Sequence, residues 1–198
     1  MNLAVKLTAV RLLMGPLFFL TFVGYGIREG AEPTGSVWHP IAALLVLIVS
    51  EVSDWLDGWI ARRRELVTEA GALMDGFADS LARLTFLTCF WFFGRLVPPW
   101  MVLLAYYHDA LGFFLRNLAR GQELKLVRRL SGRIMEGLLA AIAPVVVGAM
   151  LMWHAFNFSW NVVEGIAWWG ALAVGLSAVC AAVDYIIGNA SALRRIPC

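Results

Sequence analysis

Long apolar runs separated by short polar stretches are the main pattern along this chain. A helix needs about 20 mostly apolar residues to cross the hydrocarbon core of a membrane, and charged residues, glycine and proline mark where such runs end. The pattern predicts an all-α bundle of six transmembrane helices, preceded by a short N-terminal interfacial segment. No repeat or linker interrupts the series, so residues 1–198 are expected to form a single domain. The predicted spans are residues 8–27, 37–60, 71–94, 98–116, 132–154 and 163–188.

Composition agrees with a membrane protein. The 198 residues are 61% hydrophobic and 15% charged, with a mean hydropathy of +0.74, whereas soluble domains carry about 25% charged residues. Both a water-soluble globule and a disordered chain are therefore excluded. The cysteines Cys89, Cys180 and Cys198 are odd in number and far apart, which favours packing roles over disulfides or a zinc site. The first apolar run lacks a clear cleavage site and is expected to be retained.

The basic residues predict an orientation. Lysine and arginine accumulate in the cytoplasmic loops of membrane proteins. Thirteen of the 16 basic residues fall on one side of the predicted bundle, Arg28 and Arg95 fall on the other, and Arg83 lies within the third span. We therefore expect both termini to lie in the cytoplasm. The expected location of this multi-pass protein is a bacterial or archaeal inner membrane, with the active site at the cytoplasmic face. The thirteen are Lys6, Arg11, Arg62, Arg63, Arg64, Arg116, Arg120, Lys125, Arg128, Arg129, Arg133, Arg194 and Arg195.

Four aspartates lie where the second span ends and the third begins. Asp54 and Asp57 are three residues apart, and Asp75 and Asp79 are four apart, so each pair shares a helix face. A short cytoplasmic loop joins the two spans, which predicts antiparallel neighbours with both pairs near the cytoplasmic end. Because charges inside spans are costly and rare, such residues indicate function.

Carboxylates that converge in a poorly solvated place repel one another unless cations compensate. Two divalent ions would balance four carboxylates, and an all-oxygen set favours magnesium, manganese or calcium over zinc. Magnesium is often bound together with substrate phosphates, so a phosphate-bearing ligand is implied. The small residues Gly58, Ala61 and Gly71 allow close approach of a ligand or a backbone, and Arg62 offers a planar fork for a phosphate.

In order, these residues read Asp54-x2-Asp57-Gly58-x2-Ala61-Arg62-x8-Gly71-x3-Asp75-x3-Asp79. This stretch resembles the signature of the CDP-alcohol phosphotransferase family of phospholipid-synthesising enzymes. The opening segment around Asn2, Thr8, Arg11 and Pro16 is similar to that of the family as well.

The resemblance implies a site and a reaction. Two Mg²⁺ or Mn²⁺ ions would be held by Asp54, Asp57, Asp75 and Asp79, and Asp79 would also be the general base. The cytidine diphosphate group of CDP-diacylglycerol would bind along Gly58, Ala61, Arg62 and Gly71. A small alcohol would then take the phosphatidyl group in a single displacement that releases CMP. Members of the family usually form homodimers, so a homodimer in membrane lipid is expected, with no nucleic-acid partner.

The acceptor alcohol is indicated by a basic segment between the fourth and fifth spans. Such a cluster suits a soluble phosphorylated alcohol, and it equally suits a topology signal in contact with anionic lipid headgroups. The stretch around Ser131-Gly132-Arg133 resembles the glycerophosphate-using branch of the family, although Arg133, Met135 and Glu136 replace its Lys, Lys and Thr. Glycerol 3-phosphate is therefore favoured, with inositol phosphate or another polar alcohol as the alternative. The candidate contacts are Arg116, Arg120, Arg128, Arg129 and Arg133.

The remaining charged residues within spans are expected to support the site or the fold. Glu51 and Arg83 lie one turn from Asp54 and Asp79 and could hold those aspartates in place. His108 and Asp109 could line the cavity, and Asp184 could pair internally. A rival function of another class is a divalent-cation transporter, because intramembrane carboxylates also mark ion pathways. The clustering of the aspartates near one face argues against it.

Overall fold

The computed structural model describes residues 3–26, 33–64, 69–94, 96–120 and 130–190. These residues form six α-helices, and no β-strand occurs among them, which confirms the predicted all-α class. Each predicted run coincides with one helix, with ends that differ by a few residues. The stretch expected to be a separate interfacial segment is instead the beginning of the first helix. The helices are α1 (Leu3–Val23), α2 (Trp38–Arg64), α3 (Glu69–Gly94), α4 (Pro99–Arg120), α5 (Leu130–Phe156) and α6 (Trp160–Gly188).

Within the described residues, two of the helices meet the length and composition expected of a membrane span. They are α5 and α6, at Leu130–Phe156 and Trp160–Gly188. Within the described part of the chain, α1 and α2 carry shorter apolar segments, Arg11–Val23 and Trp38–Ser53. The predicted number of six spans is thus not confirmed by this criterion.

The helices pack as two groups of three. In the first group α1 packs along both α2 and α3, and in the second α6 packs along both α4 and α5. Contacts of α5 with α2 and α3, and of α4 with α3, join the groups. The two helices that carry the four aspartates therefore share α1 as a neighbour.

Aromatic side chains set the register between α1 and α3. The ring centroids of Phe18 and Phe86 are 4.6 Å apart, and those of Phe22 and Phe90 are 5.4 Å apart. Phe18 and Phe90 are fully buried. Because both contacts advance by one turn in the same direction, α1 and α3 run parallel.

Small residues let α6 approach its neighbours closely. Ala167, Ala171 and Ala178 are buried on α6. A Cβ atom built on Gly170 would lie 3.4 Å from Ile142 of α5, and one on Gly175 would lie 3.5 Å from Leu104 of α4. Close backbone approach over small residues is typical of helix packing in membranes.

Every helix also exposes large apolar side chains. A soluble monomer rarely exposes extended apolar surface, so such surface indicates contact with lipid or with another protein. Examples from α1 to α6, in order, are Leu20, Val52, Phe92, Tyr107, Met152 and Ile187.

Candidate active site

The four predicted site aspartates lie at matched depths on two helices. Asp54 lies ten positions before the end of α2 and Asp79 ten positions after the start of α3, while Asp57 and Asp75 lie seven and six positions from the same ends. At a helical rise of about 1.5 Å per residue, the two pairs lie about 15 Å and 9–11 Å from those ends. Only residues 65–68 separate the two helices in the chain. Among the described residues, α2 and α3 pack along α1 rather than along each other, so the predicted direct contact between these two helices is not confirmed.

Most of the predicted site side chains lie outside the described side chains. The backbone of these residues belongs to α2 and α3. They are Asp54, Asp57, Gly58, Ala61, Arg62, Gly71 and Asp75.

Asp79 is described, and it pairs with Arg83. Its Oδ1 atom lies 2.9 Å from Nη2 of Arg83, one turn further along α3. The two side chains are partly buried. Arg83 was expected to hold Asp79 in place, and the structure brings the two together. The pair fixes one oxygen of the carboxylate.

A hydrogen bond ties α3 to α4 immediately beside this pair. The hydroxyl group of Ser80 donates to Oδ2 of Asp109. Two helical turns further along α3, the hydroxyl groups of Thr88 and Tyr106 lie 3.1 Å apart. Asp109 therefore has a structural partner, and Ser80, which sequence reasoning overlooked, supplies it. Its position next to Asp79 was the available signal.

Arg11 is almost fully buried, with 1% of its surface exposed. It is one of the basic residues predicted to lie on the cytoplasmic side, and it is buried within α1, which packs on α2 and α3. A buried guanidinium group needs charge partners. The signal that could have indicated its burial is the apolar sequence on both sides of it.

The candidate acceptor contacts are only partly described. Arg116 and Arg120 end α4, but their side chains lie outside the described set, as do Arg128 and Arg129 entirely. Arg133 is exposed in the first turn of α5. Next to it, the Ser131 hydroxyl group donates a 2.5 Å hydrogen bond to Oδ2 of Asp184, so Asp184 joins α5 to α6.

The two remaining residues that were predicted to support the site differ in exposure. Glu51 is exposed on α2, and His108 is partly buried on α4.

The donor set fits a hard divalent cation by its chemistry. Four carboxylates supply only oxygen ligands, which Mg²⁺ and Mn²⁺ prefer. Among the described side chains no group of three or more His, Cys, Asp or Glu residues could hold a metal ion, but only Asp79 of the four aspartates belongs to that set.

Comparison with known proteins assigns the family. The family model for CDP-alcohol phosphatidyltransferases matches residues 1–186. The chain is 30% identical over 163 residues, 79% of each chain, to a Bacillus subtilis protein named CDP-diacylglycerol–glycerol-3-phosphate 3-phosphatidyltransferase. It is 35% identical over 80 residues to the Escherichia coli K12 protein of the same name, which covers 40% of this chain and 38% of that protein. The chain therefore belongs to the CDP-alcohol phosphatidyltransferase family, a family of transferases.

Proposed function

We propose that this protein transfers the phosphatidyl group of CDP-diacylglycerol to glycerol 3-phosphate and releases CMP. The observation that carries the choice of acceptor is the similarity to the Bacillus subtilis phosphatidyltransferase over 79% of both chains. The matched depths of the aspartates on α2 and α3 support the location of the reaction.

In the proposed reaction Asp79 is the general base. It takes the proton from a hydroxyl group of glycerol 3-phosphate, and the hydroxyl oxygen attacks the phosphorus atom that carries the diacylglycerol. The bond from that phosphorus to the bridging oxygen breaks, and CMP leaves with the electron pair. A base must lie within hydrogen-bond reach of the proton that it removes, so the ion pair with Arg83, which orients Asp79, suits this role.

Asp54, Asp57, Asp75 and Asp79 would hold two Mg²⁺ or Mn²⁺ ions. When bound, such ions orient a diphosphate and neutralise charge that develops on the leaving group. The small residues Gly58, Ala61 and Gly71 would leave room for the nucleotide, and Arg62 would bind a phosphate oxygen. The basic residues Arg116, Arg120, Arg128, Arg129 and Arg133 would bind the phosphate of the acceptor.

We also propose that all six helices cross the membrane, with the aspartates at the cytoplasmic side, and that the protein forms a homodimer in lipid. Support for six spans comes from the apolar side chains that each helix exposes. Support for the orientation comes from the concentration of arginine and lysine on one side.

The decisive experiment measures CMP release by the purified protein from CDP-diacylglycerol with Mg²⁺ and glycerol 3-phosphate. Parallel reactions offer inositol phosphate and inositol instead. We expect release with glycerol 3-phosphate, and its loss when EDTA removes the metal. Release of CMP only in the reaction with inositol phosphate would show that inositol phosphate, and not glycerol 3-phosphate, is the acceptor. Uptake of Mn²⁺ into liposomes without CMP release would favour a transporter.

We predict that Asp79→Asn lowers kcat by a factor of about 10²–10⁴, because positioned bases contribute about that much. The matched control is Glu164→Gln, which neutralises a partly buried acid in the second turn of α6, near the opposite end of the bundle. That variant is expected to keep the activity of the unmodified protein. Full activity of folded Asp79→Asn would contradict the role of Asp79 as base.

A further inference from the structure

The first group of helices contains a buried positive charge, the guanidinium group of Arg11. Arg11 has 1% of its surface exposed and is one of the large, fully buried side chains of the described residues. Arginine is almost never fully buried unless it is paired, and a charge within a membrane bundle is costlier still. The carboxylates that could balance Arg11 therefore have to lie at its level in the bundle.

The register of α1 on α3 places Asp79 at that level. Two aromatic contacts join residues that are 68 positions apart, 18 with 86 and 22 with 90. The helices are parallel and rise equally per residue, so the same offset places Arg11 level with Asp79. A Cβ built on Gly15 would contact Thr85 at 3.4 Å, which agrees with this register to within two residues.

The register of α1 on α2 leads to the other acidic pair. Tyr25, just after α1, lies against His39 near the start of α2, with ring centroids 5.8 Å apart. Because α2 then packs along α1, it runs antiparallel to it. The number of residues from Arg11 to Tyr25 equals the number from His39 to Ser53. In antiparallel helices, Ser53 therefore lies at the level of Arg11. Ser53 is buried and directly precedes Asp54.

We propose that Arg11 is a fixed internal cation that holds the carboxylates of α2 and α3 together in the metal-free protein. It is a positioning residue, and this inference rests on the metal site of the proposed function. With Arg83, which pairs with Asp79, it reduces the formal charge of four ionised aspartates from minus four to minus two. Two divalent cations then bring the site to a net positive charge, which favours binding of a diphosphate diester.

The experiment measures the Tm of purified protein in detergent with EDTA and with saturating Mg²⁺. We expect Arg11→Met to lower the Tm in EDTA by roughly 5–10 °C, because removal of one member of a buried pair is strongly destabilising. Mg²⁺ is expected to restore part of that loss, so that the variant gains more from the metal than the unmodified protein does. Arg11→Lys, which keeps the charge, is expected to lose less than half as much as Arg11→Met. Arg133→Met, at an exposed site, is the control and should leave the Tm unchanged.

A double-mutant cycle with Asp54→Asn tests the pairing itself. The loss in the double variant is expected to be clearly smaller than the sum of the two single losses. If Arg11→Met keeps the Tm of the unmodified protein in EDTA, or if the two losses add, the inference is wrong. If Arg11→Met cannot be purified, the double variant and Arg11→Lys still test the inference. The Tm of each should lie no more than a few degrees below that of the unmodified protein. Absence of CMP release by the unmodified protein would overturn the proposed function while leaving these Tm results intact.

Discussion

Asp79 is held by Arg83 from one side of its carboxylate. The 2.9 Å ion pair joins Oδ1 to Nη2 within α3, and both side chains are partly exposed to solvent. An isolated pair one turn apart on an exposed helix contributes only about 0.3–0.5 kcal/mol. We therefore expect the pair to matter more for the orientation of the Asp79 carboxylate than for the stability of the protein.

We predict that Arg83→Gln lowers kcat for CMP release roughly 10–100-fold, as the loss of a group that orients a catalytic carboxylate typically does. KM for CDP-diacylglycerol should change little, because Arg83 is not among the proposed substrate contacts. Arg83→Lys keeps a cation and should recover part of kcat. A rise in KM at constant kcat would instead indicate that Arg83 binds substrate.

At the scale of elements, the connection between α1 and α2 depends on one close approach. The backbone N–H of Gly35 donates a 2.9 Å hydrogen bond to the carbonyl oxygen of Tyr25. A Cβ on Gly35 would lie 2.5 Å from that oxygen and 2.7 Å from the Cα of Tyr25. Tyr25 is itself buried, and its hydroxyl group lies 3.0 Å from Nε2 of His154. The turn is thus attached to the end of α5.

We predict that Gly35→Ala lowers stability by about 1–3 kcal/mol, because backbone atoms must move to admit the methyl group. Gly137→Ala is the matched control: it lies in α5 with no atom within 4 Å of its added Cβ. There the exchange should be neutral or stabilising by up to about 1 kcal/mol. Thermal unfolding in detergent measures both, and equal losses in the two variants would contradict this account of the turn.

The sequence was sufficient for the helices because each apolar run ends at charged or turn-forming residues. Helix ends differ because helices continue past the apolar core, as α2 does to Arg64. The bonds Ser80–Asp109 and Ser131–Asp184 depend on which helices become neighbours and at what register, which the order of residues alone does not determine. The burial of Arg11 was missed for the same reason: a charge near a span end is usually solvated, and only packing shows that it is not.

At the scale of the whole molecule, the two ends of α5 test the orientation. The helix has 27 residues and a length of about 40 Å, enough to bring its ends to opposite membrane surfaces. Leu130 at its start and Ser159 just beyond its end are both exposed, so each can carry an introduced cysteine.

We predict that, in intact cells producing a variant without native cysteines, a membrane-impermeant maleimide labels Ser159→Cys directly. Leu130→Cys should react only after the membrane is permeabilised, because the basic residues place that end in the cytoplasm. Permeabilised cells, in which both variants should react, provide the control. The reverse pattern would contradict the orientation, and labelling of both in intact cells would contradict a span at α5.

The division of the bundle into two groups of three helices also bears on how such an enzyme diversifies. The aspartates proposed to bind metal and nucleotide lie in α2 and α3, whereas the proposed acceptor contacts lie at the end of α4, the start of α5 and the residues between them. Under the proposed function, changes in the second half of the chain would alter the alcohol that is used without disturbing the metal and nucleotide site in the first. A duplicated gene could acquire a new phospholipid product through a small number of changes there.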